Sequence, residues 1–194
     1  MGVIEDGKGT GTKAGVDNNN LLETHAYTED YKEYILENNG TAFNINTGLI
    51  TLTSASISSV LYMENTGEEN MIVPKLIYLM GNSTGGSGDI IISIYKNITA
   101  GTIIDGASDV EMLHSRNLGI SAPPEGNIYK GAEGNTGTGG TKIISTIVSG
   151  PTKVIIDVGN IVMPRGKNIC VELTPQTGNT SMGMMVVAEM WIRN

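Results

Sequence analysis

From Gly40 onward the chain alternates between short β-branched runs and clusters of glycine, asparagine, proline and aspartate. Such runs, bounded by turn-forming residues, are typical of β-strands. No intervening segment has the roughly 10–15-residue amphipathic pattern of a crossover helix, which disfavours a parallel βαβ sheet. The pattern predicts an all-β, antiparallel sandwich with strands near residues 42–46, 49–53, 58–65, 71–80, 90–96, 141–149, 152–158, 168–174 and 184–192.

The connections between these strands differ in length. Asn46-Thr47-Gly48 and Ser149-Gly150-Pro151 are short, and their glycines can adopt the positive φ of tight turns, so both predict β-hairpins. Two longer stretches, 97–129 and 131–140, predict surface loops. Because loops longer than about 12–15 residues in a compact domain usually have a function or are mobile, partner contacts are expected there.

Residues 1–20 differ in composition from the rest of the chain. They contain five glycines and only scattered apolar side chains, so ordering them alone would cost backbone entropy with little burial in return. We therefore expect an extended N-terminal arm at residues 1–20, followed by a single sandwich domain at residues 21–194. Fully extended, the arm could reach about 65–70 Å, which is enough to cross a neighbouring subunit.

Residues 21–39 support two interpretations. Thr28 could cap a helix that ends at Gly40 and has Tyr31, Tyr34 and Ile35 on one face. Tyr31 and Ile35 also fit the alternation of an extended strand. The sequence leaves both open.

The charge balance restricts the possible partners. The chain of 194 residues has a formal net charge of −8 and a sequence pI near 4.7. Proteins that grip a nucleic-acid backbone usually display clustered lysine and arginine, so direct nucleic-acid binding is disfavoured. No apolar run approaches the length of about 18 residues that a membrane span needs, and no secretory leader is recognisable, so we expect no membrane contact.

Candidate catalytic residues are few and poorly placed. Gly9–Ala14 matches a dinucleotide-binding pattern, but no strand precedes it to deliver the glycines to a helix. His25 and His114 lack ligands at metal-site spacing. The single cysteine, Cys170, alternates with apolar neighbours and is expected to be buried. We therefore expect no enzymatic activity, no metal and no cofactor.

Trp191 is the one tryptophan. Strand alternation places it with Val187 and Glu189, opposite Ala188 and Met190, on the more polar face of its strand. It could be a half-buried sheet residue or an anchor at a subunit interface, where tryptophan is enriched. Most of the ten methionines are expected in the core.

Several short segments of the sequence carry a resemblance to known proteins. They are GKGTGTKAGV at 7–16, AFNINTGLITLTS at 42–54, SVLYMEN at 59–65 before Ile72-Val73-Pro74, and the C-terminal segments 166–168, 171–175 and 178–180. Together they resemble structural proteins of tailed-bacteriophage virions, and the C-terminal segments resemble the closing strands of jelly-roll domains in viral assemblies. The resemblance implies a jelly-roll-like sandwich.

The resemblance also implies a function. It points to a head decoration or cement protein that binds the major capsid protein on the outer capsid surface, often as a homotrimer, and that stays in the host cytoplasm before assembly. On this hypothesis Trp191 and the sandwich edges contact other copies of the chain. The arm would become ordered on neighbouring protein through Val3, Ile4, Lys8, Lys13 and Val16.

Three other functions remain open. A tail, fibre or baseplate component could bind host carbohydrate with the same sandwich, although Tyr129 is the only aromatic residue near the long loops that could stack on a sugar. A jelly-roll enzyme using carboxylates or a metal is the second alternative. A non-viral cell-surface module is the third.

Overall fold

The computed structural model describes residues 15–16, 22–23, 42–53, 56–84, 89–105, 108–110, 112–115, 125–149, 153–176 and 181–193. The chain divides into two compact units, Met1–Tyr34 and Ile35–Asn194. In the first unit, β1 (Gly15–Val16) pairs antiparallel with β2 (Leu22–Glu23). The predicted boundary at residue 20, and most of the ambiguous segment 21–39, lie outside the described residues and stay predictions.

The second unit is built almost entirely of strands. They are β3 (Ala42–Asn46), β4 (Ile50–Leu52), β5 (Ser58–Asn65), β6 (Asn70–Thr84), β7 (Ile90–Lys96), β8 (Ser108–Asp109), β9 (Met112–Ser115), β10 (Gly126–Lys130), β11 (Thr141–Val148), β12 (Lys153–Met163), β13 (Asn168–Pro175) and β14 (Ser181–Arg193). A single helical turn, α1 (Thr102–Asp105), follows β7.

Two six-stranded antiparallel sheets form this unit. Sheet I has the strand order β11-β7-β13-β5-β10-β8, and sheet II has the order β12-β6-β14-β3-β9, with β4 also paired to β14. Eight of these strands, β3, β5, β6, β7, β11, β12, β13 and β14, can be numbered one to eight. The sheets then contain strands 2-7-4-5 and 1-8-3-6, which is the winding of a jelly roll. The predicted all-β, antiparallel, jelly-roll-like sandwich is confirmed.

The core lies between the sheets and follows from strand alternation. Ile90, Ile92 and Ile94 of β7 face it, as do alternate residues of β13 and β14. Because the inner faces of the two sheets are buried against each other, a strand with apolar residues at every second position must point those residues toward the inner face. Five of the ten methionines belong to this core: Met63, Met71, Met163, Met184 and Met190.

The predicted hairpin at Asn46-Thr47-Gly48 is wrong. Strands β3 and β4 do not pair with each other, because both pair with the same side of β14. Gly48 has the expected positive φ of 71°, yet the segment is only a kink between two strands that continue in the same direction. Buried Thr47 bridges the kink, since its N–H donates to the Val186 carbonyl and its Oγ1 accepts from the Val186 N–H, both at 3.0 Å.

The second predicted hairpin is wrong for a related reason. β11 belongs to sheet I and β12 to sheet II, so the connection after Val148 passes from one sheet to the other. Gly150 and Pro151 themselves lie outside the described residues. A short glycine-containing turn has the same local sequence in a hairpin and in a connection between two sheets. Only the distant partner strands, β7 and β6, determine where the chain goes.

The prediction of bare surface loops between β7 and β11 also needs correction. The connection contains α1, β8, β9 and β10. β10 pairs with β5 and extends sheet I, whereas β9 pairs with β3 and extends sheet II. These short strands were missed because their partners are distant in sequence and their own apolar alternation is weak.

Candidate interaction surfaces

The insertion between β7 and β11 covers part of the outer face of sheet I. Ile98 and Ile103 of the insertion are buried against Tyr62 and Cys170, which point away from the main core. Backbone hydrogen bonds fasten the insertion, including Ser59 N–H to the Asn135 carbonyl at 2.8 Å. This face of sheet I is therefore a second, smaller core.

The glycines of 131–140 make this covering possible. A Cβ at Gly137 would lie 3.0 Å from Ile98 Cδ1 and 3.3 Å from both Cys170 Sγ and Ser59 Oγ. At Gly131 a Cβ would overlap the Ser59 carbonyl oxygen. The predicted surface loop at 131–140 is present, and at Gly131 and Gly137 its backbone approaches sheet I too closely for a side chain.

Next to this contact lies a buried carboxyl group, Glu172, which is 6% exposed. Ser59 Oγ donates to its Oε1 at 3.2 Å. Burial raises the pKa of Glu172, while hydrogen bonds from Ser59 and Tyr95 and the charge of Lys142 act in the opposite direction. Lys142 Nζ lies 5.3 Å from the centre of the Tyr95 ring, so an aromatic ring and a carboxylate both face the cation.

Cys170 was expected to be buried, and it is fully buried in the structure. Burial raises the pKa of its thiol to about 12. Because the thiolate is the reactive form, the thiol is protonated and unreactive at neutral pH.

Glu172 was not recognised from the sequence. The alternation of Val171, Glu172 and Leu173 predicts an outward-facing side chain, and the structure agrees on that point. Its neighbours Ser59, Tyr95 and Lys142 lie in β5, β7 and β11, and the sequence did not reveal that these strands come together.

A pair of stacked tyrosines lies beside the insertion. The rings of Tyr62 and Tyr129 are parallel within 9°, with centroids 6.0 Å apart. Burial, and then the neighbouring Glu64, raise the pKa of Tyr62. Glu64 also accepts a hydrogen bond of 2.9 Å from Asn127, so the outer face of β5 and β10 is joined by polar as well as aromatic contacts.

A shallow cleft opens next to these residues, between β8 and β10. It has a volume of about 360 Å³ and is lined by Asp109, Val110, Gly126, Asn127, Ile128 and Tyr129. An aromatic ring beside an amide and an exposed carboxylate is a combination that can contact a sugar.

The outer face of sheet II has a different character. Lys75 and Glu189 form an ion pair of 3.1 Å across β6 and β14. In the neighbouring register row, Ile155 of β12, Ile77 of β6 and Val187 of β14 lie side by side. Ile155 is 56% exposed, so this row presents an aliphatic strip to solvent.

Exposed aliphatic residues concentrate at one side of the sandwich. β11 ends sheet I and β12 ends sheet II, and these two strands carry four of the exposed large hydrophobic side chains: Ile143 at 39%, Ile147 at 65%, Ile155 at 56% and Val162 at 52%. Only four residues separate Val148 from Lys153, so the two strand edges lie on the same side. Nothing in their local sequence distinguishes these residues from other strand residues.

The predicted interface residues fall in two places. Val3, Ile4, Lys8 and Lys13 lie outside the described residues, and Val16 lies in β1, opposite Leu22. Trp191 lies on the face of β14 opposite Met190, as its position in the strand predicted, but it is only 7% exposed and packs with Ala42 and Ile72. The interface roles of the arm and of Trp191 stay predictions.

The two histidines do not form a site among the described residues. His25 lies outside the described ranges and His114 is in β9. Within the ranges given above, no group of three or more His, Cys, Asp or Glu residues could hold a metal ion. In the same ranges, no helix is long and apolar enough to cross a membrane.

No known protein family and no curated protein matches this chain. Among solved structures, a chain of the crystal structure of the IBDV viral particle is weakly similar. The two are 9% identical, the match covers 78% of this chain and 39% of that chain, and the TM-score is 0.19. This chain thus spans about two fifths of the length of the viral chain. A TM-score this low does not establish a shared fold, so the jelly-roll assignment depends on the strand order.

Proposed function

We propose that this chain is a virion structural protein that binds the outer surface of a bacteriophage head and stabilises it as a decoration protein. The observation that carries the proposal is the strand order, because jelly rolls of this winding are common in viral shells. Fold alone does not determine function. The resemblance of the sequence to phage structural proteins favours the virion over the other uses of this fold.

The surfaces fit a binding role better than a catalytic one. The buried polar groups Ser59 and Glu172 are engaged with each other, and the thiol of Cys170 is protonated. The side chains that face solvent at the β11 and β12 edges are aliphatic. Exposed apolar groups of this kind commonly mark contacts with other proteins.

On this proposal the partner is the major capsid protein, and the chain acts as a homo-oligomer, in the first instance a trimer. It is present in the host cytoplasm before assembly and on the capsid surface afterwards. Residues 1–20 are the segment that becomes ordered on the shell, and binding only the assembled shell stabilises that state by mass action. Contact with the packaged DNA is not needed.

The test is binding of the full-length chain, and of a chain lacking residues 1–20, to separately purified heads and tails of the same phage. Saturable binding to heads that weakens at least about tenfold without the arm is the expected result. Binding to tails, or to neither particle, would overturn the proposal.

The cleft lined by Asp109, Asn127 and Tyr129 favours one alternative, a tail or fibre component that binds carbohydrate. On this alternative the chain binds tails, and it binds a panel of host surface glycans more weakly after Tyr129→Ala. A control change outside the cleft, Ile147→Ala, leaves glycan binding unchanged.

A further inference from the structure

Strand β12 is an open edge with an unusual sequence. Within the part of the chain that the structure describes, β12 pairs with β6 on one side and with no strand on the other. Residues 153–157 pair with β6 in unbroken register, and a bulge with positive φ at Gly159 and Asn160 follows. An edge strand presents unpaired backbone N–H and C=O groups, and natural proteins usually protect it.

The two faces of this edge differ. Lys153, Ile155 and Asp157 are exposed on the outer face of sheet II, and Ile155 is exposed over 56% of its surface. Val154 and Ile156 are partly buried against the core on the inner face. A partner for this edge would therefore need an aliphatic centre flanked by one acidic and one basic group.

We propose that β12 pairs antiparallel with β12 of a second copy of this chain, around a two-fold axis at Ile155. In this register Lys153 lies opposite the partner's Asp157, and Asp157 lies opposite the partner's Lys153. Ile155 meets the partner's Ile155, and on the inner face Val154 meets the partner's Ile156. Cross-strand pairs of opposite charge and of β-branched residues stabilise antiparallel strands.

The charges select this register. A two-fold axis perpendicular to the sheet keeps each face on its own side, so it must pass through a residue position. An axis at Asp157 would place two aspartates opposite each other, and an axis at Lys153 would do the same with two lysines. An axis at Val154 or Ile156 would leave both charges opposite uncharged residues. Only the axis at Ile155 pairs both charges with their opposites.

The contact would be short, because the bulge after Asp157 ends the regular pairing. An interface of this size is expected to give weak association that becomes strong when copies are held close together on a particle. The inference goes beyond the proposed function, since the contact would form in solution whether the chain decorates heads or tails.

The test uses the full chain and measures its mass by sedimentation across concentration. Lys153→Asp and Asp157→Lys each place like charges across the axis, so each is expected to weaken the two-fold association at least about tenfold. The double change Lys153→Asp with Asp157→Lys reverses both charges and restores it. Lys167→Asp makes the same charge change at an exposed position outside β12 and serves as the control.

Mixing the two single variants gives the sharpest result. The Lys153→Asp chain carries two acidic groups at this edge and the Asp157→Lys chain carries two basic ones, so the mixture is expected to associate although neither variant associates alone. Asp157 Oδ1 also accepts a hydrogen bond from the Gly159 N–H, so thermal unfolding must first show that each variant is folded.

The outcome does not depend on the trimer proposed above. Where another surface makes trimers, the β12 contacts join trimers to one another, and the single variants fall back to three copies; otherwise they fall from two copies to one. The inference is overturned when the full chain shows no two-fold step at any concentration. Equal association of the parent chain, both single variants and the control also overturns it.

Discussion

Glu172 shows at the scale of one residue how burial on an outer sheet face alters the chemistry of a side chain. Its side chain leaves sheet I on the outer face, where a carboxyl group would normally reach water. In the folded chain it is only 6% exposed, so the ionised form is partly desolvated. Ser59, Tyr95 and Lys142 compensate only in part, because the pKa remains raised.

This environment predicts that Glu172→Gln raises the free energy of unfolding by an amount that depends on pH. Because the pKa is raised in the folded state, the folded chain holds this proton more tightly than the unfolded chain does. The stability contributed by Glu172 is then greatest below its ordinary pKa of about 4.3 and falls as the pH rises through the raised value. The variant should match the parent near pH 4 and exceed it at pH 7.5, as measured by urea unfolding.

The control for this prediction is Asp109→Asn, which removes an exposed carboxyl group of β8 in the same sheet. It should show no comparable gain between the two pH values. A Glu172→Gln variant whose gain in stability is as large at pH 4 as at pH 7.5 would contradict the raised pKa of Glu172.

At the scale of elements, the insertion behaves as part of the sandwich. Its glycines have a structural role, since the Gly131 backbone lies against the Ser59 carbonyl and Ile103. We expect Gly131→Ala to destabilise the fold by about 1–3 kcal/mol, the range for overpacking a tight contact. The same change should raise the rate at which a thiol reagent labels Cys170, because the covering segment is pushed off sheet I.

Gly134→Ala is the matched control in the same segment. A Cβ at Gly134 meets no heavy atom within 4 Å, and its cost comes only from the positive φ of 81°. It should therefore lower stability by about 1–2 kcal/mol without exposing Cys170 to the reagent. Equal labelling rates in the two variants would mean that Gly131 does not hold the insertion in place.

The same elements show what the sequence can reveal. β3, β5 and β7 were predicted with the bounds that the structure gives, because their aliphatic alternation is strong and turn residues follow each of them. The pairing partners were not predictable in this way. Gly48 signals a turn, but whether the chain returns beside β3 or continues along β14 depends on residues about 140 positions away.

The surfaces were harder to predict than the fold. Cys170 was correctly placed in the interior from its own neighbours. Glu172, two positions further on, is buried beside Ser59, Tyr95 and Lys142, which come from three other strands and cannot be read from a local pattern. Ile147 and Ile155 look like ordinary strand residues, and their exposure appears only once β11 and β12 are known to be the edges of their sheets.

At the scale of the whole molecule, the main core that the structure describes lies within the second unit. Every buried member of that core lies between Phe43 and Met190, within the unit Ile35–Asn194. The described strands of this unit thus bury a large apolar interior among themselves.

This division predicts that a chain lacking residues 1–20 unfolds cooperatively, with a free energy of unfolding within about 1 kcal/mol of the full chain. Urea unfolding followed by Trp191 fluorescence and by circular dichroism would measure it. A loss of more than about 3 kcal/mol would show that the arm belongs to the fold, and weakened binding to heads would then reflect damage to the sandwich. Only unchanged stability together with weakened head binding would assign the arm to the partner, because the two measurements then separate folding from recognition.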